Sequence, residues 1–199
     1  NNLDLSFIAE NGSSIHRLNK IHQNLPDKII ISRTIDEIRN IYEENISLDF
    51  KNKITHILEL EREKQQKILG LPLDKIKLAI KRDHSIPIKF NGTESEKNEF
   101  TKILKNSGLT IQTGGRIMNV CDNVNKSKAM SRALQLIRKQ LDDEIITIGV
   151  GDNENDIEMI KQTDYPCLVK NENFDSSLIN IDNLIKSDEP SPKGWSDVI

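Results

Sequence analysis

The pattern of apolar and polar residues predicts a run of short strands and amphipathic helices. The apolar run that ends at Ala9 predicts a strand, and Glu10–Gly12 predicts a tight turn because Asn and Gly tolerate positive φ. Ser13–His16 is the predicted returning strand, and the β-branched run Lys28–Ser32 predicts another. Thr34–Glu37 has the spacing of a capping box and predicts the start of a helix.

Strand and helix patterns follow one another between residues 28 and 120 in an order typical of an α+β unit with a mainly antiparallel sheet. Gly70 predicts the end of a helix that begins near Leu58, and Thr93–Glu96 is a second capping box. Ile86–Phe90 alternates as a strand does, and its Pro87 predicts a position at the edge of the sheet. Further strands are predicted at residues 109–113 and 116–120.

The pattern changes after residue 120. Asn125–Gln140 predicts one amphipathic helix, and Ile145–Val150 is a continuous apolar run. Such a run predicts a strand that is buried on both faces, hence a parallel sheet covered by helices. The next strand is predicted at Tyr165–Val169, which completes a βαβ unit with ligands expected at the carboxyl ends of its strands.

Composition limits the classes of function. The 199 residues carry 28 Lys and Arg against 31 Asp and Glu, so the net charge of -3 gives no electrostatic footprint for nucleic acid. No apolar stretch approaches the roughly 20 residues that a membrane helix needs. Cys121 and Cys167 have no metal-ligand spacing and suit a reduced, cytoplasmic setting. We therefore expect one medium domain or two small ones, with neither a nucleic acid nor a membrane as partner.

The acidic loop Gly151–Asp156 is the strongest chemical signal. Asp152 leaves the predicted strand directly, and Asn155 follows three residues later. Carboxylate and amide oxygens with room for water suit Mg²⁺. The alternative is an ordinary polar turn in which Asp156 begins a helix and favours its dipole.

Three basic signals accompany the loop. Lys126 opens the helix before the last buried strand and could hold a phosphoryl oxygen, although a solvated lysine is the alternative. Gly114-Gly115-Arg116 would let a backbone approach a ligand closely beside a guanidinium, or would form a bulge followed by a surface arginine. Arg82 follows a predicted helix, where a cation complements the helix dipole.

In this order, the motifs resemble those of haloacid dehalogenase-type phosphatases. Gly151–Asp156 resembles the family's fourth motif, Lys126 stands where the third-motif lysine would be, and Glu10–Gly12 resembles the Glu-Asn-Gly turn of the subgroup with an inserted α/β cap. Four further strings resemble the mannosyl-3-phosphoglycerate phosphatases. They are Gly70-Leu71-Pro72, Ala79-Ile80-Lys81-Arg82-Asp83, Gly114-Gly115-Arg116-Ile117 and Pro192-Lys193-Gly194-Trp195.

The resemblance implies an α/β fold. It implies a Rossmann-like core with a parallel sheet, formed by residues 1–18 and 121–199, and an inserted α+β cap formed by residues 19–120. It further implies Mg²⁺-dependent hydrolysis of mannosyl-3-phosphoglycerate through an aspartyl-phosphate, which yields phosphate and the compatible solute mannosylglycerate.

The resemblance also implies roles for individual residues. Asp152 and Asn155 would hold Mg²⁺, with Asp156 at the same metal site orienting the loop, and Lys126 would neutralise the phosphate. The cap residues that would bind the glycerate carboxylate and the sugar are Arg82, Gly114, Gly115 and Arg116.

Departures from the family pattern leave more than one function open. No Asp-x-Asp motif precedes Glu10, so we expect the nucleophile to lie upstream of residue 1 and residues 1–199 alone to be inactive. Ile117 and Asn119 stand where the family usually has Phe and His. These changes leave open another sugar-phosphate phosphatase, of the glucosyl-3-phosphoglycerate or sucrose-phosphate type. The absence of the nucleophile motif leaves open a non-catalytic relative that binds a phosphorylated ligand. A structural or interaction α/β protein without a site is the third alternative. A monomer or a homodimer fits each of these functions.

Overall fold

The computed structural model describes residues 4–113 and 116–199. The chain divides into two compact units. The first comprises the chain up to Ile31 together with Asn125–Ile199, and the second comprises Ser32–Val124. The second unit is therefore an insertion between two parts of the first.

The first unit begins with a small antiparallel sheet. Its strands are β1 (Phe7–Ala9), β2 (Ser14–His16) and β3 (Lys28–Ile30), paired in the order β1-β2-β3. The predicted turn at Glu10–Gly12 is confirmed, with Asn11 at φ 56° and Gly12 at φ 114°. Glycine is required at position 12 for a second reason, because a Cβ there would lie 2.2 Å from the backbone oxygen of Asn125.

The second unit is a four-stranded antiparallel sheet with helices. The strand order is β4-β5-β7-β6, in agreement with the predicted α+β arrangement. The strands are β4 (Ile54–His56), β5 (Ser85–Phe90), β6 (Leu109–Thr113) and β7 (Met118–Asp122). The helices are α1 (Ile35–Asn45), α2 (Leu48–Lys51), α3 (Arg62–Leu69), α4 (Leu73–Ala79) and α5 (Glu94–Asn106).

One apolar core holds this sheet to α1 and α5. Ile38 and Tyr42 of α1 and Phe100 and Leu104 of α5 are fully buried in it. Both predicted capping boxes are confirmed: in each, the threonine side chain accepts from the backbone three residues on, and the glutamate accepts in return. These local bonds begin α1 and α5 at the residues that the sequence predicts.

Two predictions for this unit are wrong. Pro87 lies in β5, which is an inner strand and not an edge. The proline is tolerated because β4 pairs with β5 only from Ile88 to Phe90, so no donor to β4 is needed at Pro87. The helix predicted from Leu58 begins instead at Arg62, after a separate 3₁₀ turn at Ile57–Glu59.

The chain then returns to the first unit through α6 (Lys126–Arg138) and a parallel sheet. The remaining elements are β8 (Ile148–Gly151), α7 (Ile157–Ile160), β9 (Tyr165–Lys170), β10 (Ile185–Pro190) and α8 (Lys193–Val198). The sheet order is β10-β9-β8, and α7 connects β8 to β9 in the predicted βαβ sense.

The prediction of a strand over residues 145–150 that is buried on both faces is wrong. The strand begins at Ile148, whose residue surface is 56% exposed, and Ile146 before it is 62% exposed. Within the part of the chain that is described, β8 pairs on one side only, with β9. A strand with one neighbour keeps part of its apolar surface in contact with water, although its sequence is that of an inner strand.

Candidate active site

The acidic loop follows β8 at the carboxyl end of the parallel sheet. Gly151 ends the strand, Asp152 comes next, and a 3₁₀ turn at Glu154–Asp156 leads into α7. A Cβ on Gly151 would lie 2.4 Å from Cβ of Asp156, so only glycine lets the loop fold back this closely. The consequence is that the Asp156 side chain is turned inward, with the residue 7% exposed.

Lys126 and Asp156 form an ion pair at this end of the sheet. The Lys126 Nζ lies 2.5 Å from Asp156 Oδ1, and the backbone N–H of Asp152 donates to Asp156 Oδ2 at 3.3 Å. Lys126 is the first residue of α6, and the Asn125 side chain caps that helix by accepting from the Lys128 N–H. The structure therefore brings the predicted lysine to the acidic loop and fixes the amine with a carboxylate.

Asp152 and Asn155 are the other two predicted metal ligands in the loop. Asp152 is half-buried, and its carboxylate makes no hydrogen bond to any residue of the described chain. Its backbone oxygen accepts from Asn171 Nδ2 at 3.1 Å. Asn155 is exposed. Asn171 was not predicted, although it directly follows β9 and the carboxyl ends of parallel strands share one edge of the sheet.

Among the described residues, acidic, histidine and cysteine side chains do not by themselves assemble a metal site, so the magnesium ligands stay a prediction. Across residues 4–113 and 116–199, no three His, Cys, Asp or Glu side chains are grouped closely enough to hold a metal ion. With Asp156 engaged by Lys126, the Asp152 carboxylate and the Asn155 amide are what remains of the three predicted ligands, and Glu154 adds an exposed carboxylate to the same loop. That set suits Mg²⁺, which is commonly held by one or two carboxylates while waters and substrate phosphate complete the shell.

The two predicted arginines of the second unit each bind the end of a helix. Arg82 Nε donates to the Ala79 backbone oxygen at 3.0 Å, at the end of α4. Arg116 Nη1 donates to the Leu69 backbone oxygen at 2.5 Å, at the end of α3. Arg82 thus makes the contact that complements the helix dipole. The predicted Gly114 and Gly115 lie outside the described residues.

A buried carboxylate near the unit boundary was not predicted. Asp122 accepts hydrogen bonds from Ser32 Oγ at 3.1 Å, from the Arg33 N–H at 2.6 Å and from Arg33 Nε at 2.8 Å, and it also pairs with Arg33 Nη2. Burial alone would raise the pKa of Asp122, but the bonds and charge of Arg33, together with Ser32, hold that pKa below its ordinary value. This contact ties the beginning of the second unit to its end.

Comparison with known proteins identifies the class. The chain belongs to the haloacid dehalogenase-like hydrolases, whose family model matches residues 1–185. The match confirms the predicted resemblance, the predicted α/β fold class and the expectation of an enzyme that catalyses hydrolysis.

Two relatives carry the name of the narrower group that the sequence strings resemble. The chain is similar to a glucosyl-3-phosphoglycerate/mannosyl-3-phosphoglycerate phosphatase of Persephonella marina, with 27% identity over 97% of this chain and 74% of the relative. It is similar to a protein of the same name from Methanococcoides burtonii, with 29% identity and the same two coverages.

Solved structures support the fold. A protein of Thermoplasma acidophilum matches 99% of this chain and 72% of its own with a TM-score of 0.59 at 14% identity. A haloacid dehalogenase-like hydrolase of B. subtilis matches 92% of this chain and 75% of its own with a TM-score of 0.52 at 17% identity. Within the described residues, none of the helices has the length and apolar character needed to span a bilayer.

Proposed function

We propose that the protein is a phosphatase that hydrolyses mannosyl-3-phosphoglycerate to mannosylglycerate and phosphate. The observation that carries the proposal is the Lys126–Asp156 pair beside the acidic loop at the carboxyl end of a parallel sheet. The names of the two relatives support this substrate class, and they extend it to the glucosyl ester. Within the described residues, Cys121 and Cys167 form no disulfide, which is in keeping with a cytoplasmic enzyme.

The first unit supplies the groups that meet the phosphate. The Lys126 amine neutralises a phosphoryl oxygen, and Asp156 keeps that amine at the strand exit. Asp152 and Asn155 are the proposed ligands of Mg²⁺, which when bound neutralises charge on the phosphoryl oxygens. The attack on phosphorus, which forms an aspartyl-phosphate and releases the alcohol, is the step that the family resemblance assigns to an aspartate preceding Glu10.

The second unit is the proposed cap. Its Arg82 and Arg116 would bind the glycerate carboxylate, because a guanidinium matches a carboxylate with two parallel N–H bonds. The family resemblance adds Gly114 and Gly115 to the residues that would bind the sugar and acid groups of the substrate.

A phosphate-release assay on the full-length protein tests the proposal. The panel contains mannosyl-3-phosphoglycerate, glucosyl-3-phosphoglycerate and sucrose phosphate, each with Mg²⁺ and with a chelator. We expect turnover of the mannosyl ester that the chelator abolishes, and a loss of about 100-fold or more in Lys126→Ala, in line with the removal of a charge-stabilising donor.

Lys139→Ala is the matched control. Lys139 follows the last residue of α6, about 20 Å along the helix from Lys126 at 1.5 Å per residue, and its loss should leave the rate unchanged. Turnover without metal, or no turnover of any panel compound, contradicts the proposal. Tight binding of a panel compound without turnover would favour the non-catalytic relative instead.

A further inference from the structure

The guanidinium of Arg116 occupies the place where Gly70 would carry a side chain. A Cβ built on Gly70 would lie 1.5 Å from Nη1 and 2.4 Å from Cζ of Arg116. The two residues are 46 positions apart and belong to the same unit. The close approach is therefore a tertiary contact and not a consequence of local sequence.

Gly70 also ends α3 in a left-handed conformation. Its φ is 62°, and its N–H donates to the Gln66 backbone oxygen at 2.7 Å. Leu69, the residue before it, offers the backbone oxygen that accepts from Arg116 Nη1. The end of α3 thus provides both an acceptor for the guanidinium and an open surface beside that acceptor.

We propose that Gly70 is a positioning residue for Arg116. Because Gly70 has no side chain, the Arg116 guanidinium can lie against the end of α3. This contact orients the guanidinium N–H groups that do not donate to Leu69. Among the described residues, the Leu69 oxygen is the acceptor that Arg116 reaches, so its other donors remain for a carboxylate ligand. The inference rests on the proposed function, in which Arg116 contacts the glycerate carboxylate.

A conformational role and a positioning role of Gly70 can be separated, because Gly108 shares only the first. Gly108 follows α5 with φ 80°, so alanine there is strained as at Gly70. A Cβ on Gly108 would lie 3.8 Å from Arg33 Nη2, which is ordinary contact. Gly70→Ala and Gly108→Ala should therefore lower the melting temperature by similar amounts, whereas only Gly70→Ala displaces Arg116.

The first measurement does not depend on any substrate. Phenylglyoxal labels accessible arginines, and mass spectrometry of the peptide that contains Arg116 gives its labelling rate. We expect faster labelling of Arg116 in Gly70→Ala than in the unsubstituted protein or in Gly108→Ala, because the guanidinium loses its contact with the end of α3. An unchanged rate in Gly70→Ala overturns the inference, whatever the substrate is.

The second measurement is the dissociation constant of mannosyl-3-phosphoglycerate, by calorimetry. We expect Gly70→Ala to weaken binding about tenfold, the size of one charge-assisted hydrogen bond, and Arg116→Ala to weaken it at least as much. The double variant should bind no more weakly than Arg116→Ala alone, because Gly70 acts through that arginine. Additive losses overturn the inference, and faster labelling with unchanged binding overturns the substrate role of Arg116 instead.

Discussion

Among the described residues, each unit has a buried carboxylate in an ion pair, Asp122 in the second and Asp156 in the first, and the two differ in the number and length of their hydrogen bonds. In the second unit, Asp122 accepts from the Ser32 hydroxyl and from three groups of Arg33. In the first unit, Asp156 accepts from Lys126 Nζ at 2.5 Å and from the Asp152 N–H at 3.3 Å, which is a long and weak bond.

The difference separates a structural ion pair from one that is open to chemistry. The hydrogen bonds to Asp122 involve both of its carboxylate oxygens and link two segments, at Arg33 and at Asp122, that are 89 residues apart. This ion pair therefore stabilises the fold. The two cations are similarly exposed, with 31% of the Lys126 side-chain surface and 38% of that of Arg33, so exposure does not separate the pairs. Lys126 ends in a compact amine with three donors, of which Asp156 takes one. That amine can take a phosphoryl oxygen while it stays with Asp156, whereas the Arg33 fork is already matched to its carboxylate.

Asp122→Asn should produce the largest effect on stability. The amide keeps the shape of the carboxylate but removes its charge and places an N–H₂ group against the donors of Arg33. We expect the free energy of unfolding of the second unit to fall by about 2 kcal/mol, the usual range for hydrogen bonds to a charged group. Hydrogen exchange in residues 32–113 and 116–124, recorded across a denaturant titration, measures this loss in the second unit. Fluorescence of Trp195, the single tryptophan, reports separately on unfolding of the first unit.

The same variant has a defined pH dependence. The pKa of Asp122 is lowered on folding, so its ionised form contributes stability that is present above the ordinary aspartate pKa, near 3.9, and is lost as the pH falls through the lowered value. The difference in free energy of unfolding between the unsubstituted protein and Asp122→Asn should therefore become smaller below about pH 4. A difference that persists unchanged to pH 2 would show that the carboxylate charge is not its source.

Asp156→Asn should cost less stability but more function. An amide oxygen can still accept from Lys126, and the bond lost at the other oxygen is the long one from the Asp152 N–H, so we expect a loss of about 1 kcal/mol. Phosphate release, in contrast, should fall, because the amine is no longer held by a charge. Trp195 fluorescence during denaturation measures the first effect and the phosphate assay the second. A stability loss as large as that of Asp122→Asn would erase the distinction between the two pairs.

The sequence predicts those parts of the fold that local interactions determine. The capping boxes at Thr34 and Thr93 involve residues three apart, and both helices begin where the pattern indicates. The approach of Lys126 to the acidic loop follows from chain order, since a helix that leads into a strand begins near the end at which that strand stops. These features need no knowledge of distant segments.

Features that depend on a distant partner could not be predicted. Pro87 can lie in an inner strand because the pairing with β4 stops at Ile88. The local sequences of β4 and β5 do not indicate where that pairing stops. Arg116 reaches the end of α3 across 47 residues, and Asp122 reaches Arg33 across 89. A side chain in such a contact has the same local sequence as a solvated one, so only the tertiary structure distinguishes them.

Asn119→Leu should give the smallest effect, with the opposite sign. Asn119 is 9% exposed, and its Oδ1 has no hydrogen-bond partner among the described residues. Asp122 and Asp156 both accept hydrogen bonds, whereas this buried oxygen accepts none. Leucine has a similar shape and no polar atom, and a strand tolerates it well. We expect the free energy of unfolding, measured by denaturant titration, to rise by up to about 1 kcal/mol, because a buried acceptor without a partner is removed.

Gln65→Leu is the control for this last variant. Gln65 also has an unpartnered Oε1, but its Nε2 donates to the Ile57 backbone oxygen, so the gain from removing the acceptor should be cancelled by the loss of that bond. A loss of stability in Asn119→Leu as large as that in Asp122→Asn would mean that the number of partners does not determine the worth of a buried polar group in this unit.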